Sequence, residues 1–446
     1  MSRRQARIAF FGHFGRSNIG GNFGNESTLL AIVRYFRDVL PYADFKCICT
    51  GAETVARDYN ISAVPSRDAI LTTVAPRSSL GRFARKLIAG IPCEVYRWFK
   101  GVKTLWGADA LVVPGTGLLT DAHTLFNWGP YEMFRWSVTA KMCNCKLLFV
   151  SVGAGPIYSR TGRLFVKAAL SLADYRSYRD ESTLQYLQGI GFRSGNDLVY
   201  PDLVFSLPKH LIPRGPNGDK RRRVVGLGVM DYAGKYSVEA PTSAAQSAYL
   251  ETLVSFVSWL LVHEYNVRLL IGDQVDTPVT QHLKSLLKER SVTQEEGRLI
   301  DESVASVDDL LKQLATVDLV VATRYHNVVL ALLLNKPVIA ISFHHKCSSL
   351  MRQMGLPEYC QDINDLQADR LIEQFCNLEE NAERLRPLIK EKTEVFRRSL
   401  NEQYSFILAK LAPQSDQKHK IGPCEDKTSC DKQKRLGIEH GPSLEQ

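Results

Sequence analysis

The sequence has no long apolar run. Its longest uninterrupted one, Val328 to Leu334, is far short of the roughly 20 residues that a bilayer-crossing helix needs, which argues against a membrane-spanning protein. No separate apolar segment with a cleavage site follows Met1-Ser2-Arg3-Arg4-Gln5, which leads straight into a first strand. A secretory signal is therefore not expected, and a cytoplasmic location is. Metal-type cysteine spacing is missing too. The ten cysteines are scattered, and Cys47/Cys49 and Cys143/Cys145 are each separated by one residue, a pattern of reduced thiols and not of zinc ligands or disulfides. The basic residues are dispersed, without a helix-turn-helix, zinc-finger or RNP-like pattern, so no nucleic acid partner is expected.

Acid is scarce in one stretch. Between Arg77 and Trp106 stand Arg77, Arg82, Arg85, Lys86, Arg97, Lys100 and Lys103 against the single acid Glu94, with Phe83, Tyr96, Trp98, Phe99 and Trp106 interleaved. A basic, aromatic-rich amphipathic stretch of this kind, residues 77–106, suits a peripheral contact with the inner face of a membrane. The plainer alternative is a helix with a solvated basic face and an ordinary core stripe. The net charge of +9 favours anionic partners: phosphorylated metabolites, nucleotides or lipid headgroups.

What the sequence does have is alternation. At 446 residues, 45% hydrophobic and 23% charged, the chain has core enough for two domains and a tail. Strands are expected at Arg7 to Phe11, Phe45 to Cys49, Ala108 to Val113 and Lys146 to Val152, with helices between them. A Pro/Gly/Lys/Arg-rich linker over 208–223 separates residues 1–207 from a second strand and helix series over 224–385. An amphipathic C-terminal helix is expected over 386–412, and the polar, aromatic-free residues 413–446 are expected to be disordered. The fold class is α/β: two doubly wound Rossmann-like domains facing a cleft.

Strand-end loops carry the candidate chemistry. Gly12 to Ser27 is a glycine-rich loop before a helix expected near Glu26, but it is neither G-x-G-x-x-G nor a Walker A. It is expected to be a flexible, ligand-facing loop that includes Asn22, Gly24 and Asn25. Gly115 and Gly117 follow the strand at Ala108 to Val113. Val317 to Thr323 reads as a buried strand, Asn327 to Leu334 as a short helix, and Val338 to Ser342 as a further strand, which places Arg324 and His326 in the loop at a sheet's C-terminal edge. An arginine two residues from a histidine, at a helix N-terminus, suits a phosphate or carboxylate with a proton donor beside it. The structural alternatives are a surface ion pair for Arg324 and an N-cap or core role for His326. Arg179, before a helix capped by Asp180 or Ser182, is a second candidate anion ligand, with an ion pair to Asp180 or Glu181 as its alternative.

In order along the chain stand Asn22-Phe-Gly-Asn-Glu26, Ala108-Asp-Ala-Leu-Val-Val113 with its glycine loop, Tyr178-Arg-Asp-Glu-Ser182, Asp202-Leu-Val-Phe-Ser-Leu207, and Arg324-Tyr-His326 running through Lys336-Pro337 to Lys346. This ordered set resembles the polysaccharide pyruvyl transferase family. The resemblance implies a fold like that of the two-domain (GT-B-like) glycosyltransferases, with an acceptor side in the first domain and donor elements in the second. It implies phosphoenolpyruvate as donor, no cofactor and no metal, and a glycan or lipid-linked sugar as acceptor, with a pyruvate ketal as product. It also implies that Arg179, Arg324 and His326 bind the donor and that His326 is the catalytic acid. Lys346 and His345 are further candidates for substrate binding, and His344 and His345 are alternative acids. Asn25 stands where an acidic residue is common, and Pro114-Gly-Thr-Gly117 varies the usual glycine string; both bear on acceptor identity. A nucleotide-sugar glycosyltransferase is the competing enzyme class, but the Glu pair expected for ribose and diphosphate is not found around Val317 to Ser342. A non-catalytic scaffold of the same fold is the other alternative.

Overall fold

The computed structural model describes residues 5–16, 21–66, 91–121, 128–195, 197–215, 222–232, 243–290 and 297–411. Residues 413–446 of the expected tail and 77–90 of the basic stretch lie outside that set, as do residues 216–221 of the 208–223 linker. Residues Met1–Tyr404 form one compact unit, and Ser405–Gln446 a second, whose described part is the end of a helix begun at Ala382.

Two parallel sheets make up the first unit. One holds β1 (Arg7–Gly12), β2 (Asp44–Cys49), β3 (Ser62–Pro65), β4 (Ala110–Pro114), β5 (Lys146–Val152), β6 (Tyr175–Tyr178) and β7 (Leu198–Val199) in the order β3-β2-β1-β4-β5-β6-β7. The other holds β8 (Val224–Gly228), β9 (Asn266–Leu270), β10 (Leu299–Ile300), β11 (Leu319–Ala322), β12 (Val338–Ser342) and β13 (Cys360–Asp362) in the order β10-β9-β8-β11-β12-β13. All pairings are parallel: Ile8 faces Phe45 on one side and Ala110 on the other, and Val320 faces Gly226 and Val338. Central parallel strands are covered on both faces and so read as continuous apolar runs; Leu111, Val112, Leu147, Leu148, Val320, Val321, Ile339 and Ile341 are all buried.

Strand order reverses direction at β1/β4 in the first sheet and at β8/β11 in the second. In open α/β sheets the crevice for a ligand forms beyond the strand ends at that reversal. The loops after β4 and β11 carry Gly115 and Arg324, so sheet topology brings both to such positions.

Two helix starts differ from expectation. The first helix runs Phe23–Val39, beginning three residues before Glu26, because the Asn22 side chain accepts the Asn25 N–H and caps it. Asn22, Gly24 and Asn25 are thus parts of an ordered helix start, not of a flexible loop. The helix after β11 runs Tyr325–Leu333; Arg324 precedes it as the cap residue and His326 lies in its first turn, so only Arg324 is outside the helix.

Residues Ala382–Leu411 form one helix, its start a little before the expected 386. Arg386 Nη1 donates to the Asn335 carbonyl at 3.1 Å, beside β12, while Arg397 Nη1 donates to Leu207 O at 2.8 Å and Tyr404 meets Ser206 at 2.9 Å. The helix therefore touches structure belonging to both sheets. Among the described residues one stretch, Ala245–Val262, is long and apolar enough to cross a membrane. It lies in the helix Ser243–Val262, whose Tyr249, Leu253, Phe256 and Leu260 are buried in the core and whose Phe256 packs on Phe375 at 5.5 Å.

Candidate functional site

Arg179 continues the register of β6: its backbone N–H donates to Val152 O at 3.0 Å. The side chain is buried, 6% exposed. Its guanidinium lies over the Tyr325 ring at 4.7 Å and against Gly153, where an added Cβ would be 2.5 Å from Nη2. Glycine at 153 is what makes room for it. Asp202 stands 3.5 Å from Nη1 and Asp180 3.7 Å from Nε, both longer than the roughly 2.7–2.9 Å of a close charge-assisted hydrogen bond. Nε has no hydrogen-bond partner. A buried guanidinium held loosely by two carboxylates retains capacity for an anion.

His326 occupies the first turn of the helix Tyr325–Leu333, with its ring against Gly24 of the helix Phe23–Val39. A Cβ on Gly24 would lie 2.0 Å from Nδ1. Nε2 is 3.7 Å from Asp202 Oδ2 and has no hydrogen-bond partner. Burial, then the charges of Arg179, Lys346 and Arg324, hold the imidazole well below its ordinary pKa. It is therefore neutral at pH 7 in the ligand-free protein.

Arg324 is buried and paired. Its Nε and Nη2 meet the two oxygens of Asp276 at 2.7 and 2.5 Å, and Asp276 also accepts the Asp231 N–H at 2.8 Å. The sequence alternative of a surface ion pair has the right kind of partner and the wrong depth: this pair is interior, where removing one partner strands the other's charge.

Lys346 is half-buried, with Nζ 5.5 Å from the Tyr325 ring and 5.1 Å from Phe343. Burial, reinforced by Arg179, lowers its pKa to about 8. His344 caps the helix His345–Gln353, its Nδ1 accepting the Lys346 N–H at 3.4 Å. That role needs an unprotonated Nδ1, and burial with Lys346 pushes its pKa down to about 3, in keeping with the cap. His345 is exposed, its ring 3.9 Å from that of His344.

Arg179, Asp180, Pro201, Asp202, Tyr325, Lys346, Leu350, Gln353 and Phe396 line one pocket. His326 adjoins it through Asp202, and Arg324, paired with Asp276, is not among its lining. The remaining candidates are also not among its lining. Asn22 Nδ2 donates to Asp273 at 2.9 Å and Asn25 Nδ2 to His13 O at 3.1 Å, both structural uses. Gly115 is buried, with an added Cβ meeting Ser151 O at 2.5 Å, whereas Gly117 is exposed with open space around it.

Sequence reasoning assigned no role to Asp202, Tyr325 or Glu26. Asp202 and Tyr325 were inside motifs already singled out, so their signal was present. Glu26 is 3% exposed, its Oε1 lacks a partner, and burial raises its pKa from 4.5 to about 7. Asp276 had no signal at all, because its partner is 48 residues away. Among the described residues no group of three or more His, Cys, Asp or Glu is placed to hold a metal.

Known structures share this architecture at low identity. Anabaena HepE in complex with UDP aligns at 15% identity over 90% of this chain and 99% of that one, with a TM-score of 0.56. S. aureus MnaA with UDP aligns at 12% over 87% and 91% (TM-score 0.53), and a glycosyltransferase from Rickettsia africae at 12% over 91% and 99% (0.51). These likenesses show a GT-B-like fold. The amylovoran biosynthesis protein AmsJ of Erwinia amylovora is 31% identical over 72 residues, 16% of this chain, and the match spans 17% of AmsJ's length. The polysaccharide pyruvyl transferase model matches residues 22–345, from the cap of the first helix to the start of the one that follows β12. With the match running through most of both sheets, the chain belongs to the polysaccharide pyruvyl transferase family.

Proposed function

We propose that this protein transfers pyruvate from phosphoenolpyruvate to two hydroxyls of a sugar in a polysaccharide or cell-surface glycan precursor, as a ketal, releasing phosphate. The observation that carries the reading is the pairing of an unsaturated, buried Arg179 with a neutral His326 whose Nε2 is unpartnered, the two meeting at Asp202.

Phosphoenolpyruvate brings a phosphate and a carboxylate. Arg179 and Lys346 supply fixed cations for them, and Arg324, locked to Asp276, adds its charge and holds the helix start that carries His326. The same cations that depress the His326 pKa in the empty site are offset once the anions arrive. Binding therefore raises the pKa of His326, and the imidazolium that forms is steadied by Asp202. Proton transfer from His326 to the methylene carbon makes the adjacent carbon electrophilic. One sugar hydroxyl adds there, its proton returning to His326; the second hydroxyl displaces phosphate, which leaves with the second proton on the cations that held it.

Isothermal titration of phosphoenolpyruvate at about pH 7.5, well above the ordinary His pKa, in two buffers of different ionisation enthalpy measures protons taken up. We expect net uptake in the wild type and its loss in His326→Gln. Binding with no proton linkage to His326 would remove the histidine from the donor's charge balance. Binding of a nucleotide sugar and not of phosphoenolpyruvate would favour glycosyl transfer.

A further inference from the structure

The helix Ile91–Leu105 presents a second apolar face besides the one, including Leu105, that enters the core. Glu94 and Arg97 are turned toward the neighbouring helix: Glu94 accepts from the Tyr131 hydroxyl at 2.6 Å and pairs with Arg97 at 3.1 Å, Arg135 donates to the Arg97 carbonyl, and Gly101 packs beside Thr139. Four large apolar side chains face out. Val95 is 63% exposed, Tyr96 50%, Phe99 69%, and Trp106, just past the helix, 76%. At helical spacing these fall on one stripe, with the exposed Lys103 between Phe99 and Trp106. The stripe is about 17 Å long at 1.5 Å per residue.

Scattered exposed apolar residues are ordinary; a contiguous stripe marks a contact surface. Its chemistry selects the partner. Aromatic rings beside lysines match the boundary of a bilayer with anionic headgroups, where rings sit at headgroup depth and cations meet phosphate. From 91 to 106 the chain has Arg97, Lys100 and Lys103 against Glu94 alone, and Glu94 is turned inward. A second copy of this face would set Lys103 near its own equivalent, a like-charge contact.

We propose that the stripe Val95, Tyr96, Phe99, Lys103 and Trp106 docks this protein on an anionic lipid surface. The docking is peripheral, so the protein partitions between solution and membrane with salt and lipid charge. A transferase held there meets a lipid-linked sugar by diffusion in two dimensions.

The test is co-sedimentation of the full chain with vesicles of phosphatidylcholine alone or with about a third phosphatidylglycerol, at about 0.1 M salt, where screening leaves surface charge effective. Binding to the anionic vesicles is expected, weakened at about 1 M salt, where the Debye length falls to roughly 3 Å. Phe99→Ser with Trp106→Ser should lose about tenfold or more of that affinity, the loss of two buried rings. Lys100→Glu with Lys103→Glu should abolish the preference for anionic lipid. The proposal is overturned if the wild type ignores anionic vesicles, if the ring variant binds as well as wild type, or if sedimentation velocity shows a dimer that the ring variant loses without any vesicle binding. Because no phosphoenolpyruvate is present and His326→Gln should bind vesicles like wild type, failure here is separable from failure of the pyruvyl-transfer reading.

Discussion

Glu26 shows how a single buried residue can set the pH range of the fold. It sits in the first turn of the helix Phe23–Val39, where a helix dipole favours a carboxylate, yet burial dominates and raises its pKa from 4.5 to about 7. A raised acid means that the native state holds the proton more tightly than the unfolded one. Its contribution is fully present below about pH 4.5 and is lost as pH rises through about 7, on the order of 3 kcal/mol by pH 8. Glu26→Gln removes the charge that must be buried. Thermal melts of both proteins should coincide near pH 5 and separate by pH 8, the variant melting higher; equal slopes across that range would assign the charge to solvent. At this scale the sequence was partly readable. Arg324, Arg179 and His326 were visible as residue types at strand ends, but the state of each was not. Arg324's partner Asp276 lies in a turn after β9, and His326's low pKa comes first from its burial and then from cations on three separate segments of the chain.

At the scale of elements, the meeting of two helix starts decides where His326 points. Gly24 in one first turn faces His326 in the other, and the ring occupies the space a Cβ would need, 2.0 Å from Nδ1. Gly24→Ala removes a glycine from a helix, which alone gains roughly 0.5–1 kcal/mol, but it drives the imidazole from its seat. Circular dichroism should be unchanged while proton uptake on phosphoenolpyruvate binding falls. Full uptake in this variant would mean that the ring can deliver its proton from another position. The alternation of strands and helices was legible because central parallel strands cannot hide their apolar runs. The helix start at Phe23 was missed because Asn22 caps it with a side chain that the reading placed in a loop. The helix Ile91–Leu105 was read as basic and aromatic, which it is; that Glu94 and Arg97 face inward depends on Tyr131 and Arg135 of a later helix, and composition does not record facing.

Two sheets make one unit only if something ties them, and beside the contacts of Arg179 with Tyr325 and of Gly24 with His326, two further ties are visible among the described residues. Asn22 and Asp273 form an antiparallel bridge, with Gln274 N–H donating to Gly21 O at 3.1 Å and Phe23 N–H to Gly272 O at 3.2 Å. The helix that begins at Ala382 is the second. Its Arg386 holds carbonyls beside β11 and β12, and its Gln403, fully buried, donates to Ser151 at 3.0 Å and Ser177 at 2.7 Å at the ends of β5 and β6. Ser151 has φ 49°, a conformation that non-glycine residues hold only when neighbours fix it. Two residues on is Gly153, against which Arg179 lies. Gln403 thus links the long helix to the strand end that seats the anion-binding arginine. Gln403→Ala leaves two buried hydroxyls short of a partner, at about 1–3 kcal/mol for an unsatisfied group. Urea unfolding should show a lower midpoint, and phosphoenolpyruvate should stabilise the variant less than it does the wild type, because a loosened Ser151 no longer holds Gly153 and Arg179 in register. A lower midpoint with undiminished stabilisation by phosphoenolpyruvate would confine Gln403 to folding, leaving the arginine's seat to β6 alone.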